Sequence, residues 1–150
     1  MNEKEIIQKL KVLSRKMIER AKELQHEKQR LEVFLDYLPC AAWIKDLEGH
    51  YVFVNATLAR VFLRQKEEWI GKKDSEIWPA EMVRRLRKSD RTVITKKCPV
   101  ESIAKAPHSD GWHRWIFRKF PLFDSKGKVE FIGGIAFDLE NVDAKLLDLH

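Results

Sequence analysis

Apolar residues recur every seven positions through the first quarter of the chain, at Leu10, Met17, Leu24, Leu31 and Leu38. Ile6, Leu13 and Phe34 fill a second position, four residues ahead of the next residue in that series, with Arg20 and Glu27 as polar breaks in it. Glu and Lys crowd the flanks, and neither Pro nor Gly interrupts the run before Pro39. This is an a/d heptad pattern. It predicts one helix over 3–38 whose seam closes in a parallel two-helix coiled coil. Dimerisation is assigned to Ile6, Leu10, Leu13, Met17, Leu24, Leu31, Phe34 and Leu38. Near its end the stripe widens through Leu31, Phe34, Leu35 and Leu38, which also suits a helix lying on its own domain.

Pro39 stops the helix, and the period changes. Ala41-Ala42-Trp43-Ile44 reads as a strand, Asp46-Leu47-Glu48-Gly49 as a turn and Tyr51-Val52-Phe53-Val54 as the returning strand. Asn55 fits as the N-cap of a helix over 56–63. Short helical pieces follow over 66–70 and 74–78, and Pro79 opens a longer helix over 80–96. The remainder is sheet: Val100–Ala104, a turn at Ser109-Asp110-Gly111, Trp112–Phe123, a second Asp-x-x-Gly turn at Asp124–Gly127, and Lys128–Asp138. Helical spacing returns at Val142, Leu146 and Leu149. The order predicts an α+β fold, a five-stranded antiparallel sheet with helices inserted between its second and third strands. The divisions are a helix over 1–38, a globular domain over 39–140 and the start of a connecting helix over 141–150. In the fourth strand Trp112, Ile116 and Phe120 alternate with Trp115 and Phe117. In the fifth, Phe131, Ile135 and Phe137 alternate with Ile132, Gly134 and Ala136. Both faces are apolar, so both need a cover. The inserted helices supply one, and the N-terminal helix or a second subunit is the candidate for the other.

Composition narrows the function. The chain has 150 residues, 44% of them hydrophobic and 35% charged, which suits one domain with one core. No apolar run approaches the roughly eighteen residues of a membrane span. The charged start does not read as a signal peptide, so a cytoplasmic location is expected. The two cysteines, Cys40 and Cys98, form no CxxC pair and are expected to be reduced. The net charge of +6 raises the question of nucleic acid. The densest basic stretch, Arg84 to Lys97, alternates with Val83, Leu86, Val93 and Ile94 at helical spacing, which is the pattern of a solvated helix face. A nucleic-acid module acting through helix 80–97 is the weaker alternative, since no groove-reading motif accompanies the charge. None of the five histidines sits at metal-ligand spacing, and no nucleophile–base pair is legible. No metal and no enzyme activity are expected.

Taken in order, Trp43-Ile44-Lys45-Asp46-Leu47-Glu48-Gly49, Val54-Asn55, Ile70-Gly71-Lys72, Asp74, Ile77-Trp78-Pro79-Ala80-Glu81, Asp90, Val93, Pro99-Val100-Glu101, Lys119-Phe120-Pro121-Leu122, Asp124-x-x-Gly127 and Gly133-Gly134-Ile135 to Asp138 resemble the PAS domain family, in its PAS-4-like branch of bacterial sensors. The resemblance covers about residues 36–140, and the preceding helix resembles a signalling helix. Family members often end the last strand in Asp-Ile-Thr. Here the sequence is Asp138-Leu139-Glu140, and Asp138 and Glu140 are the candidates for signal relay. The resemblance implies no flavin, since Gly71–Trp78 lacks the cysteine such photosensors use. It implies no haem, since residues 80–97 hold no histidine. No cofactor is therefore expected.

What the resemblance implies is a regulatory module that dimerises and relays a small-molecule or partner signal. Its output domain would lie elsewhere in a longer protein, as a histidine kinase of a two-component pair, a diguanylate cyclase of cyclic-dinucleotide signalling, or a transcription activator. A ligand would sit between the inner face of the sheet and the inserted helices, near Phe53, Met82, Leu86, Ile103, Trp115, Phe117 and Ile135, with His113 and Arg114 as a polar end. The many large aromatic residues favour a filled or nearly filled core. The rival is a constitutive dimerisation scaffold without ligand.

Overall fold

The computed structural model describes residues 1–140. The connecting helix expected over 141–150 lies outside the described residues. The chain divides into two compact units, one spanning Met1–Leu35 and the other beginning at Asp36.

The first unit is helix α1, Glu3–Asp36, which enters the second unit at its last residue. A capping box starts it: the Glu5 amide donates to Asn2 Oδ1 at 2.9 Å and the Asn2 amide to Glu5 Oε2 at 3.2 Å. No residue of α1 is buried in the single chain. The heptad residues Leu10, Leu13, Met17, Leu24, Leu31 and Phe34 are half or more exposed. A helix this long at 1.5 Å per residue extends about 50 Å.

The second unit runs β1 (Ala41–Asp46), β2 (Tyr51–Val54), α2 (Ala56–Val61), two 3-10 turns (Lys66–Glu68 and Asp74–Glu76), α3 (Ala80–Lys96), β3 (Val100–His108), β4 (Gly111–Phe123) and β5 (Val129–Asp138). The strands form one antiparallel sheet in the order β2-β1-β5-β4-β3. The helices lie between the second and third strands in sequence, as the pattern predicts. The two Asp-x-x-Gly turns share one mechanism. Asp46 Oδ1 accepts from the amides of Glu48 and His50, Asp124 Oδ1 from those of Lys126 and Lys128, and Gly49 and Gly127 take the positive φ each turn needs.

Two local expectations shift. Helix α2 ends at Val61, because Leu63 takes a left-handed φ of 52°. Strand β3 continues past Ala104 to His108, pairing with β4 up to a two-residue turn. Pro107 is tolerated there because β3 is an edge strand. At the end of α3, Lys97 adopts the left-handed conformation that glycine usually supplies.

Residue pairing across the ladders sorts the sheet into two faces. Ala41, Trp43, Lys45, Trp115, Phe117, Lys119, Ile132, Gly134 and Ala136 share the face that enters the core. The core cluster adds Tyr51, Val54, Leu58, Trp69, Met82, Leu86 and Ala106. Gly134 lets the Trp43 ring lie flat on the strand: a Cβ there would stand 2.3 Å from the ring. On the other face, Ile103, Trp112 and Phe137 are exposed in the single chain, at 65%, 55% and 41%.

Candidate functional site

The inner face encloses a cavity of about 30 Å³ between the sheet and the helical segment. Ala41, Trp43, Lys45, Trp115, Phe117 and Ala136 come from the sheet. Leu58, Phe62, Trp78, Met82 and Leu86 come from the helices and their connections. Four of the expected pocket residues, Met82, Leu86, Trp115 and Phe117, therefore line it. Phe53, Ile103 and Ile135 do not. Phe53 pairs with Ile44, Ile103 with Ile116 and Ile135 with Ala42 and Arg118, all on the opposite face. A bulge between Ile44 and Lys45 sets Tyr51, not Val52, opposite Lys45 and so brings Tyr51 to the inner side. The wall is almost wholly apolar. Phe62 packs edge-on against Trp78 at 4.6 Å, and both are half-buried, so this pair stands between the cavity and solvent. The indole Nε1 atoms of Trp43 and Trp115 are buried and have no hydrogen-bond partner among the described residues.

One wall is backed by buried charge. Lys45 Nζ donates to Asp74 Oδ2 at 2.6 Å and to Asp90 Oδ2 at 3.2 Å. Lys119 Nζ donates to Asp90 Oδ1 at 2.6 Å, Ser89 Oγ at 2.7 Å and the Leu86 carbonyl at 3.3 Å. The Tyr51 hydroxyl donates to Asp74 Oδ1 at 2.7 Å and accepts from Trp78 Nε1 at 3.0 Å. A continuous chain thus runs from a cavity-lining indole, through Tyr51, Asp74, Lys45 and Asp90, to Lys119. Two ammonium groups face two carboxylates, so the buried charge balances. Burial pushes the Asp90 carboxyl up, but Lys45 and Lys119 outweigh it and hold Asp90 below its ordinary value. For Lys119 burial wins over the attraction of Asp90, and its ammonium is lowered. Burial, with Asp74 beside it, raises the Tyr51 hydroxyl well above its ordinary range. Pattern reading passed over this network because it took the inner face as apolar. Its signal was there: Lys45 is in phase with Trp43, and Lys119 with Trp115 and Phe117.

Asn55 anchors the helical segment to the sheet. Its Oδ1 accepts from the Leu58 amide at 3.1 Å, as N-cap of α2, and from the Ala42 amide at 3.0 Å, while its Nδ2 donates to the Cys40 carbonyl at 2.9 Å.

His113 and Arg114 lie at the end of the sheet, outside the cavity lining. There they meet the two relay candidates. His113 Nδ1 is 2.7 Å from Asp138 Oδ2, and Arg114 Nε donates to Glu140 Oε1 at 2.9 Å. The hydrogen bond that His113 donates to Asp138 raises the His113 imidazole, and that from Arg114 lowers the Glu140 carboxyl. His108 stacks on His113 with ring centroids 4.3 Å apart. Among the described residues, His108, His113 and Asp138 bring donor atoms within 4.8 Å of one another. The sequence separates the two histidines by five, which is not a metal spacing on a helix or a strand. The hairpin makes them diagonal neighbours on one face.

Comparison with known proteins agrees with this architecture. A family model described as a PAS fold matches residues 35–144. The structure of VqmA bound to DPO superposes with a TM-score of 0.66 at 30% identity, covering 75% of this chain and 57% of that one. The PAS domain of Bordetella pertussis BvgS superposes with a TM-score of 0.64 at 19% identity, covering 81% of this chain and 92% of that domain. The methanogenesis regulatory histidine kinase FilI of Methanothrix harundinacea is 27% identical over 119 residues, or 79% of this chain and 13% of the kinase. The chain thus spans a small part of that kinase and little more than half of VqmA. Fold, core and family match converge: the chain belongs to the PAS fold family.

Proposed function

We propose that the chain is a non-catalytic sensory module. Residues 39–140 bind a small organic molecule between the sheet and the helices, and α1 pairs two copies and carries the signal. The observation that carries this reading is the apolar cavity closed by Phe62 and Trp78 and coupled through Trp78 and Tyr51 to the buried ion network. VqmA, at 30% identity, is bound to DPO in its structure, and FilI is a histidine kinase with a related segment. At about 30 Å³ the cavity is far below the few hundred cubic ångströms of a typical ligand pocket. Binding therefore moves Phe62 and Trp78 outward. That breaks the Trp78–Tyr51 hydrogen bond and transmits the change to Asp74, Lys45 and α3. A ligand with a hydrogen-bond acceptor on an apolar body fits best, since it could also satisfy the Trp115 Nε1 donor. The proposed relay runs out through Asp138 and Glu140 to an output domain.

Screening small metabolites by thermal shift, with Trp fluorescence as a second readout, tests the site. A true ligand raises the melting temperature and perturbs the indoles of Trp43, Trp78 and Trp115. Ala136→Leu fills the cavity from the sheet side and is expected to abolish the shift. A ligand effect that survives Ala136→Leu places binding elsewhere.

A further inference from the structure

We propose that His108, His113 and Asp138 form a site for a divalent transition metal such as zinc, at the point where the last strand leaves the sheet. The three residues come from the ends of β3, β4 and β5. Their side chains are 13%, 12% and 10% exposed, so they are shielded yet reachable. Asp138 Oδ2 stands 2.7 Å from His113 Nδ1 and 3.5 Å from His108 Nε2, and all three donor atoms fall within 4.8 Å. Tetrahedral zinc with bonds of about 2.1 Å spaces its ligand atoms about 3.4 Å apart, so small movements would seat the ion.

Hydrogen-bond accounting supports a cation here. Each imidazole turns one nitrogen to Asp138 and the other to Asp110, whose Oδ1 is 2.7 Å from His113 Nε2 and 2.9 Å from His108 Nδ1. Ser109 Oγ also stands 3.1 Å from His108 Nδ1. Two neutral imidazoles carry two N–H groups for four nitrogen–carboxylate contacts. With both N–H groups directed at Asp110, the second nitrogen of each ring faces the Asp138 carboxylate, the arrangement of three ligands around one cation. One divalent ion completes it. Two extra protons would instead make both stacked rings cationic at 4.3 Å. Asp110 then serves as the outer carboxylate that fixes both tautomers. The ligand set of two imidazoles and a carboxylate suits zinc, nickel or cobalt better than calcium or magnesium. Asp138 Oδ1 is meanwhile held by the Glu140 amide at 2.9 Å, so a bound ion would pin the exit of β5 to the β3–β4 hairpin.

The test is titration of the tag-free chain with Zn²⁺ by calorimetry and with Co²⁺ by visible absorption. One ion per chain and the intense bands of low-coordinate Co²⁺ are expected. His113→Ala and Asp138→Asn should remove binding, Asp110→Asn should weaken it about 10- to 100-fold, and His26→Ala and His50→Ala should leave it unchanged. Imidazole nitrogen NMR on the unsubstituted chain keeps the test independent of any variant's folding: Zn²⁺ should move the resonances of His108 and His113 and spare those of His26 and His50. No saturable one-to-one binding, binding unaffected by His113→Ala, or resonance changes only at other histidines would each overturn the proposal.

Discussion

At the scale of single residues, the buried charges decide most. Lys45 is 1% exposed and Lys119 3%, so neither ammonium can turn to water if its partner is lost. Lys45→Met leaves Asp74 and Asp90 short of a counter-ion and should cost about 3–5 kcal/mol in urea unfolding. The same substitution made together with Asp74→Asn should cost less than the two single changes summed, because the network acts as a unit. Asp90 is held below its ordinary value by Lys45 and Lys119. A depressed carboxylate stabilises the fold above its unfolded value of about 3.9 and loses that contribution as pH falls through the folded value. Unfolding free energy should therefore drop as pH goes below about 4, and Asp90→Asn should flatten that part of the curve. Gly134→Ala sets a methyl group into the Trp43 ring and should cost about 1–3 kcal/mol. Single residues were also the hardest to read from sequence. Period-two alternation set Trp115 and Phe117 on one face of β4 and Ile132, Gly134 and Ala136 on one face of β5, but not which face of β5 meets the cavity, so Ile135 was expected there in place of Ala136. It could not show that Lys45 and Lys119 have carboxylates waiting on α3 and the second 3-10 turn, because those pairings join residues 29 to 45 positions apart. The bulge that sets Tyr51 opposite Lys45 left no mark in the alternation either.

At the scale of elements, local chemistry carried far. Each Asp-x-x-Gly turn, the Asn55 cap and the α3 helix were legible because their signals lie within a few residues of one another. Boundaries shifted where tertiary pairing took over, as in β3, which follows β4 to His108. Lys97 holds a φ of 54° at the end of α3, a conformation unfavourable for a residue with a Cβ. Lys97→Gly should stabilise the domain by up to about 1 kcal/mol, measured by thermal unfolding. Helix α1 exposes its heptad residues along its whole length in the single chain, and the proposed pairing of two copies would bury them. Leu24→Asp combined with Leu31→Asp should give monomers in light scattering at concentrations where the unsubstituted chain is dimeric. A variant that stays dimeric would move the interface to another surface, the exposed face of the sheet being the first candidate.

At the scale of the whole molecule, the fold followed from the order of its elements, while the site followed only in part. The sheet and its inserted helices create a cavity wherever their inner faces fail to fill. Trp43, Tyr51, Phe62, Trp69, Trp78, Trp115 and Phe117 leave little unfilled here. In the proposed function, sensing is therefore a matter of displacing aromatic side chains, and the buried ions behind them would carry that displacement onward. Native mass spectrometry of the tag-free chain, after exposure to a metabolite extract, tests this most directly. The account predicts a dimer carrying one small organic molecule per chain, lost on denaturation and absent from Ala136→Leu. A bare dimer under every condition would contradict ligand sensing and leave a dimerising scaffold.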